Sequence, residues 1–229
     1  SAAMASEEPY NSGIVLRWKD CKQRIDGFGI AQAGWAKELF AFKNREQVMD
    51  KMFGKDGLRL NILRGEIFPH YWENETDKDF NLNDDIHIEL SDSDFINKSD
   101  DLLRRGQLWL TLKAKNKYHI SKLVFSTWSA PAWMKSNGKV SNGRLKTECY
   151  TDFANYLAAF YNAYKSKGIA PYAISPSNEP GYAAPWNSSL WTADEMGKFI
   201  TSYLGPTFRK ENIPAKIIFG ENPLWAVYM

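Results

Sequence analysis

Apolar and polar positions along this chain follow two rhythms. Short, nearly continuous apolar runs occur at residues 13–18 (GIVLRW), 58–67 (LRLNILRGEI), 123–128 (LVFSTW), 172–175 (YAIS) and 216–220 (KIIFG). Each has the length and the β-branched or aromatic content of a buried strand. Residues 25–33 (IDGFGIAQA) alternate glycine with apolar residues, as expected where backbones approach closely. Between these runs, apolar residues recur at three and four. Asn44 predicts a helix start, with Gln47 at the return position of a capping box, an inner side of Val48, Met49, Met52 and Phe53, and Gly54 as its stop. Leu102, Leu103, Leu110 and Ala114 predict a helix ending near Asn116. The clearest helix has Tyr150, Phe153, Ala154, Leu157, Phe160, Tyr161 and Tyr164 on one side and stops at Gly168. A capping box at Thr192–Glu195 opens another, facing inward through Met196, Phe199, Ile200, Tyr203 and Leu204 and closed by Gly205-Pro206.

Apolar strands alternating with amphipathic helices form parallel βα units. Five such units fit either an open sheet or five-eighths of a barrel. No Gly-rich phosphate loop is present, which weakens the nucleotide-binding sheet. Residues 68–97 form a long polar and aromatic segment, opened by Pro69-His70-Tyr71-Trp72. A connection of that length is usually functional or disordered, and its aromatic start argues for function.

Composition narrows the classes. A length of 229 residues allows one large core or two modest ones, and 44% hydrophobic with 24% charged residues is ordinary for a soluble domain. A net charge of +2 without a Lys/Arg run gives no nucleic-acid surface. No stretch of about 18 apolar residues is present to span a membrane. Nine Trp, 11 Tyr and 13 Phe supply core packing and flat faces for stacking on sugar rings. Cys21 and Cys149 define no disulfide framework; one bridge or two small buried hydrophobes are open, and the second is favoured. His70, His87 and His119 lack metal-ligand spacing, so no metal or other cofactor is expected. Ser1–Met4 resembles an expression scar, and the sequons at Asn74, Asn97 and Asn187 fit a secreted or extracellular protein.

The chemistry concentrates at 172–180 (YAISPSNEP). Pro176 should end the strand, leaving Glu179 at its carboxyl end, the face of an α/β barrel where active sites lie. Glycosidic cleavage needs one carboxylic acid to protonate the leaving oxygen and a second carboxylate across the sugar. Pro176, Pro180, Tyr182 and Trp186 offer the low-polarity wall that keeps such an acid protonated. Asn178 adds an amide for a neighbouring hydroxyl. Arg64 and Glu66, at the end of the second strand, are expected to pair across the barrel mouth or to touch substrate.

Residues 25–29 (IDGFG), 128–135 (WSAPAWMK) and 173–180 (AISPSNEP), in this order, resemble glycoside hydrolase family 30, of the clan A retaining glycosidases. The resemblance runs from about residue 13 to the end and departs from the family at Ser177, where Gln is frequent. It implies a (β/α)8 TIM barrel with a side β-sandwich, here an N-terminal tag and tail at 1–12, a sandwich strand at 13–24 and barrel strands one to five at 25–229. It implies Glu179 as general acid/base and Asn178 at the sugar 2-hydroxyl, with Trp128 and Trp133 in the sugar-binding floor or wall. The family's nucleophile, a Glu on strand seven, is expected beyond residue 229, together with the further part of the same protein that closes the barrel. Glu221, after the fifth strand, is expected to be a subsite or structural carboxylate. The implied substrate is a β-linked oligo- or polysaccharide: xylan first, then β-1,6-glucan or galactan, with the 68–97 segment shaping an extended cleft. The alternative is a carbohydrate-binding or catalytically incomplete barrel that hydrolyses nothing.

Overall fold

The computed structural model describes residues 19–20, 22–32, 35–78, 80 and 100–222, with side chains described from residue 106 in the last stretch. The expected strand at 13–18, Cys21, His87 and the sequon at Asn97 lie outside the described residues. Five strands form one sheet: β1 (Gly29–Ala31), β2 (Ile62–Ile67), β3 (Lys122–Thr127), β4 (Ala173–Ser175) and β5 (Lys216–Ile217). All pairings are parallel and the spatial order is the chain order. A doubly wound sheet reverses its order at a switch point. This one does not, and the five strands with their intervening helices are consecutive units of a (β/α)8 barrel.

Helices separate successive strands, as parallel pairing requires. They are α1 (Ala36–Ala41) and α2 (Arg45–Phe53) after β1, α3 (Asp100–Tyr118) after β2, and α4 (Tyr150–Ser166) after β3. After β4, α5 (Ala193–Phe199) passes through a π turn at Ile200–Leu204 into α6 (Gly205–Lys210).

Burial explains why these residues form these elements. In β2, Leu63, Gly65 and Ile67 are buried while Ile62, Arg64 and Glu66 are only partly covered. The strand therefore sends alternate side chains to the helical layer and to the barrel interior. Gly29 is needed for close approach: a Cβ there would meet the Ile62 carbonyl oxygen at 2.5 Å. Helix α4 buries every position expected and also Tyr156 and Ala158, because it is covered on several sides. Phe125 of β3 meets Phe160 edge-on at 5.0 Å, Trp72 meets Tyr156 at 5.2 Å, and Phe199 of α5 lies 5.3 Å from Phe153. Gly168, at φ +80°, follows the end of this helix as expected.

Several boundaries differ from expectation. β2 starts at Ile62 rather than 58, since the Leu58 and Leu60 amides return to the α2 carbonyls of Lys51 and Met52 at 2.8 and 3.0 Å. Leu58 itself is 73% exposed. β1 and β5 are likewise shorter than their apolar runs. Asn44 precedes α2 but makes no side-chain cap, because its backbone (φ −98°, ψ 27°) lacks the extended ψ that aims a capping side chain back at the helix. The Thr192 capping box does form, with Glu195 N donating to Thr192 Oγ1 at 3.1 Å and Thr192 N to Glu195 Oε2 at 2.6 Å. Gly205-Pro206 does not end that helix: proline occupies the first turn of α6, where its missing N–H is tolerated after the π turn.

The aromatic start of the 68–97 segment also departs from expectation. Phe68, Tyr71 and Trp72 are buried in the core. Tyr71 stacks on Phe80 at 4.0 Å, and Phe80 in turn packs on Tyr156 and Phe160. These rings anchor the segment to α4 rather than line a cleft.

Candidate active site

The carboxyl ends of β2, β3, β4 and β5 converge on one cluster. From β2, Arg64 extends its guanidinium to Glu221, with Nε donating to Oε1 at 3.2 Å and Nη2 to Oε2 at 3.3 Å. The same Nη2 donates to Asn178 Oδ1 at 2.8 Å. Ser126 near the end of β3 and Ser175 at the end of β4 both donate to Glu221 Oε2, at 2.6 and 2.9 Å. Arg64 also lies over the Trp128 ring, 4.6 Å from its centroid. One charged fork thus ties four strand ends together, in a mouth where both charged side chains are about one-fifth exposed. Arginine suits this role because its planar donors satisfy a carboxylate and a neighbouring carbonyl at once.

Glu179 stands beside this cluster in an unusual backbone state. Its φ is +46°, in the left-handed region that non-glycine residues seldom occupy. Both flanking peptide groups are held: Glu179 N donates to the Glu221 carbonyl at 2.9 Å, and Tyr182 N donates to the Glu179 carbonyl at 2.9 Å. Asn178 N donates to the Thr127 carbonyl at 2.6 Å, carrying the β3–β4 ladder past the end of β4. Strain of this kind collects at sites where a side chain must be aimed. Beyond the turn, Tyr182 and Trp186 form an edge-to-face pair with centroids 6.3 Å apart. They are 43% and 54% exposed, flat faces available for stacking.

The structure therefore brings together Arg64, Trp128, Asn178 and Glu179, with Tyr182 and Trp186 on the loop that leaves Glu179. The expected Arg64–Glu66 ion pair does not form; Arg64 pairs with Glu221 instead. The backbone amide of Glu66 bonds Gln107 Oε1 at 2.6 Å and its carbonyl bonds Gln107 Nε2 at 2.7 Å. Trp133 is half-buried, with its indole N–H donating to the Trp72 carbonyl at 3.1 Å. It braces the buried aromatic segment. Ser126 and Ser175 were not singled out from the sequence, although a hydroxyl near the carboxyl end of an otherwise apolar strand is the signal that marks them. Among the described residues no group of three or more His, Cys, Asp or Glu is placed to hold a metal ion, and no helix is long and apolar enough to cross a membrane. Cys149 is a buried free thiol whose pKa burial raises.

Known proteins resemble this chain in sequence and in fold. The glucuronoxylanase XynC of Bacillus subtilis (strain 168) is 34% identical over 95% of this chain and 43% of its own length. The lysosomal acid glucosylceramidase of Mus musculus is 27% identical over 94% of this chain and 44% of its own. The chain thus spans less than half the length of these relatives. Among solved structures, an endo-β1,6-glucanase superimposes with a TM-score of 0.72 at 23% identity, over 90% of this chain and 46% of its own, a likeness of fold. The model of the glycosyl hydrolase family 30 TIM-barrel domain matches residues 25–219, and the chain belongs to that family.

Proposed function

We propose that this chain carries the acid/base half of a retaining glycoside hydrolase acting on a β-linked glycan. One observation carries the reading: Glu179 projects from a strained, doubly pinned turn at the carboxyl end of β4, beside an asparagine amide held by Arg64. Glu179 donates its proton to the leaving glycosidic oxygen, then removes a proton from the water that releases the sugar from the glycosyl-enzyme. Asn178 donates its amide to the hydroxyl next to the reacting carbon. Tyr182 and Trp186 stack against the glycan, with Trp128 at the floor of the mouth. Glu221, committed to Arg64 and two serine hydroxyls, is a positioning carboxylate. The nucleophile is a Glu on a later barrel strand, about 5 Å across the sugar from the acid as retention requires.

The likeness to a glucuronoxylanase supports xylan as the first substrate to test. The likeness to a glucosylceramidase supports testing β-glucosyl substrates beside it. The test is hydrolysis of a panel of β-xylans, β-1,6-glucan, β-galactan and β-glucosides by the full reading frame that contains these residues, with the anomer of the first-formed product read by proton NMR. A β-anomeric product supports the proposal. An α-anomeric first product, or no cleavage across the panel, overturns it.

A further inference from the structure

Lys135 is fully buried, at 0% exposure, in a place the active-site chemistry does not use. Its ammonium donates to three neutral oxygens: Ser129 Oγ at 3.1 Å, the Asn142 carbonyl at 2.5 Å and the Ser188 carbonyl at 2.8 Å. An ammonium has three donors, and each is matched. No carboxylate compensates the charge among the described residues, and burial alone draws its pKa down to about 8. A buried, unpaired cation is costly, so its position calls for a reason.

The three acceptors belong to two different loops. Ser129 and Asn142 lie in the connection from β3 to α4, and Ser188 lies in the connection from β4 to α5. The loops meet in a short joint. Ser188 N donates to the Val140 carbonyl and Leu190 N to the Gly143 carbonyl, both at 2.9 Å. Asn142 N donates to Ser188 Oγ at 2.9 Å, and Ser141 and Asn187 form an isolated antiparallel bridge. Lys135 reaches both sides of this joint. The second loop also closes on itself, with Trp191 N donating to the Pro180 carbonyl at 2.8 Å. It begins next to Glu179 and carries the exposed Tyr182 and Trp186, which have little packing of their own to place them.

We propose that Lys135 is a positioning residue that clamps the β3 loop to the β4 loop and so sets the Tyr182–Trp186 pair against the acid for binding of an extended glycan. The clamp is a matter of geometry; its consequence for glycan binding rests on the glycosidase reading above. Methionine at this position keeps the bulk of the stem and removes every donor, leaving two carbonyls at the joint unsatisfied.

The test uses the full protein with Lys135→Met and, separately, Ser188→Ala, which removes the hydroxyl that accepts from Asn142 N and donates to the Ala184 and Trp186 carbonyls. Hydrogen exchange at the Leu190 amide reads the joint. KM on polymeric glycan and kcat on a nitrophenyl glycoside read the consequence. The expected result is at least about tenfold faster Leu190 exchange and an at least about tenfold higher polymer KM, lower bounds set by the loss of one buried hydrogen bond, with kcat on the nitrophenyl glycoside within about twofold. Unchanged exchange in Lys135→Met overturns the clamp, and a loosened joint with unchanged polymer KM overturns the positioning role. If the unaltered protein cleaves no glycan, the glycosidase reading falls by itself, and the exchange measurement alone then upholds or overturns the clamp.

Discussion

Arg64 holds Asn178 by its side-chain oxygen, with Nη2 donating to Oδ1 at 2.8 Å. Because a guanidinium has no acceptor, it meets only the oxygen of the amide, and this fixes which end of Asn178 faces the mouth. The N–H₂ end is then a pre-aimed donor for a sugar hydroxyl. Asn178→Ala should lower kcat/KM by about 10- to 100-fold on ordinary glycosides, the range of one hydrogen bond in a preorganised site. On the matching 2-deoxy glycoside the variant and the parent should differ little. Steady-state kinetics on the two substrates measure this, and an equal loss on both would remove the 2-hydroxyl contact.

Glu179→Gln should separate substrates by leaving group. Cleavage of unactivated glycans should fall by about 10²- to 10⁴-fold, the usual worth of a general acid. Glycosylation by a dinitrophenyl glycoside, whose leaving group needs no proton, should be nearly retained in pre-steady-state bursts. With Glu179→Ala, added azide should restore turnover and yield the β-glycosyl azide. Loss of both substrate classes to the same extent would assign the acid role elsewhere.

Glu221→Gln tests the charged fork. The change keeps shape and removes the charge that pairs with Arg64. Breaking a fully buried pair costs about 3–5 kcal/mol and an exposed one under about 1 kcal/mol. For this partly covered pair, a loss of about 1–3 kcal/mol is expected in urea unfolding. Activity should fall as well, since Arg64 would hold Asn178 less firmly. A variant as stable and active as the parent would make the pair incidental.

Lys135 gives a pH signature of defined sign. Its folded pKa is about 8 against an ordinary 10.5, so between those values the unfolded chain carries a proton that the folded chain has released. Stability therefore rises with pH across that window, and the benefit is lost as pH falls through 8. The advantage of the parent over Lys135→Met should grow by up to about 3 kcal/mol from pH 7.5 to 10.5. Urea unfolding of both proteins across that range checks it, because the other titrating groups cancel in the difference. A flat or falling difference would show that the ammonium is not desolvated.

Much of this was legible in the residues. The periodic aromatic face of α4, the Thr192 capping box and the apolar runs that became β3 and β4 follow from local pattern, because burial imposes a period of 3.6 or 2 on any chain that folds. Pro176 likewise placed Glu179 just past the end of β4, since a residue without an N–H cannot donate to the ladder. The Asn44 cap and the Gly205-Pro206 stop do not form because local propensity has several outcomes, and the surrounding chain selects one. Asn44 adopts a ψ unsuited to capping, and a π turn carries the helix past Pro206.

What the sequence by itself determined is the order of the elements, the family motifs and the position of Glu179 just past the fourth strand. Only the tertiary structure decided that Arg64 pairs with Glu221 across 157 positions rather than with Glu66 two residues away, that Phe68, Tyr71 and Trp72 are core rather than cleft, and that Lys135 joins two loops. Charge and hydrogen-bond partners are chosen by distance in space, and a parallel sheet brings into contact strand ends that the chain keeps far apart.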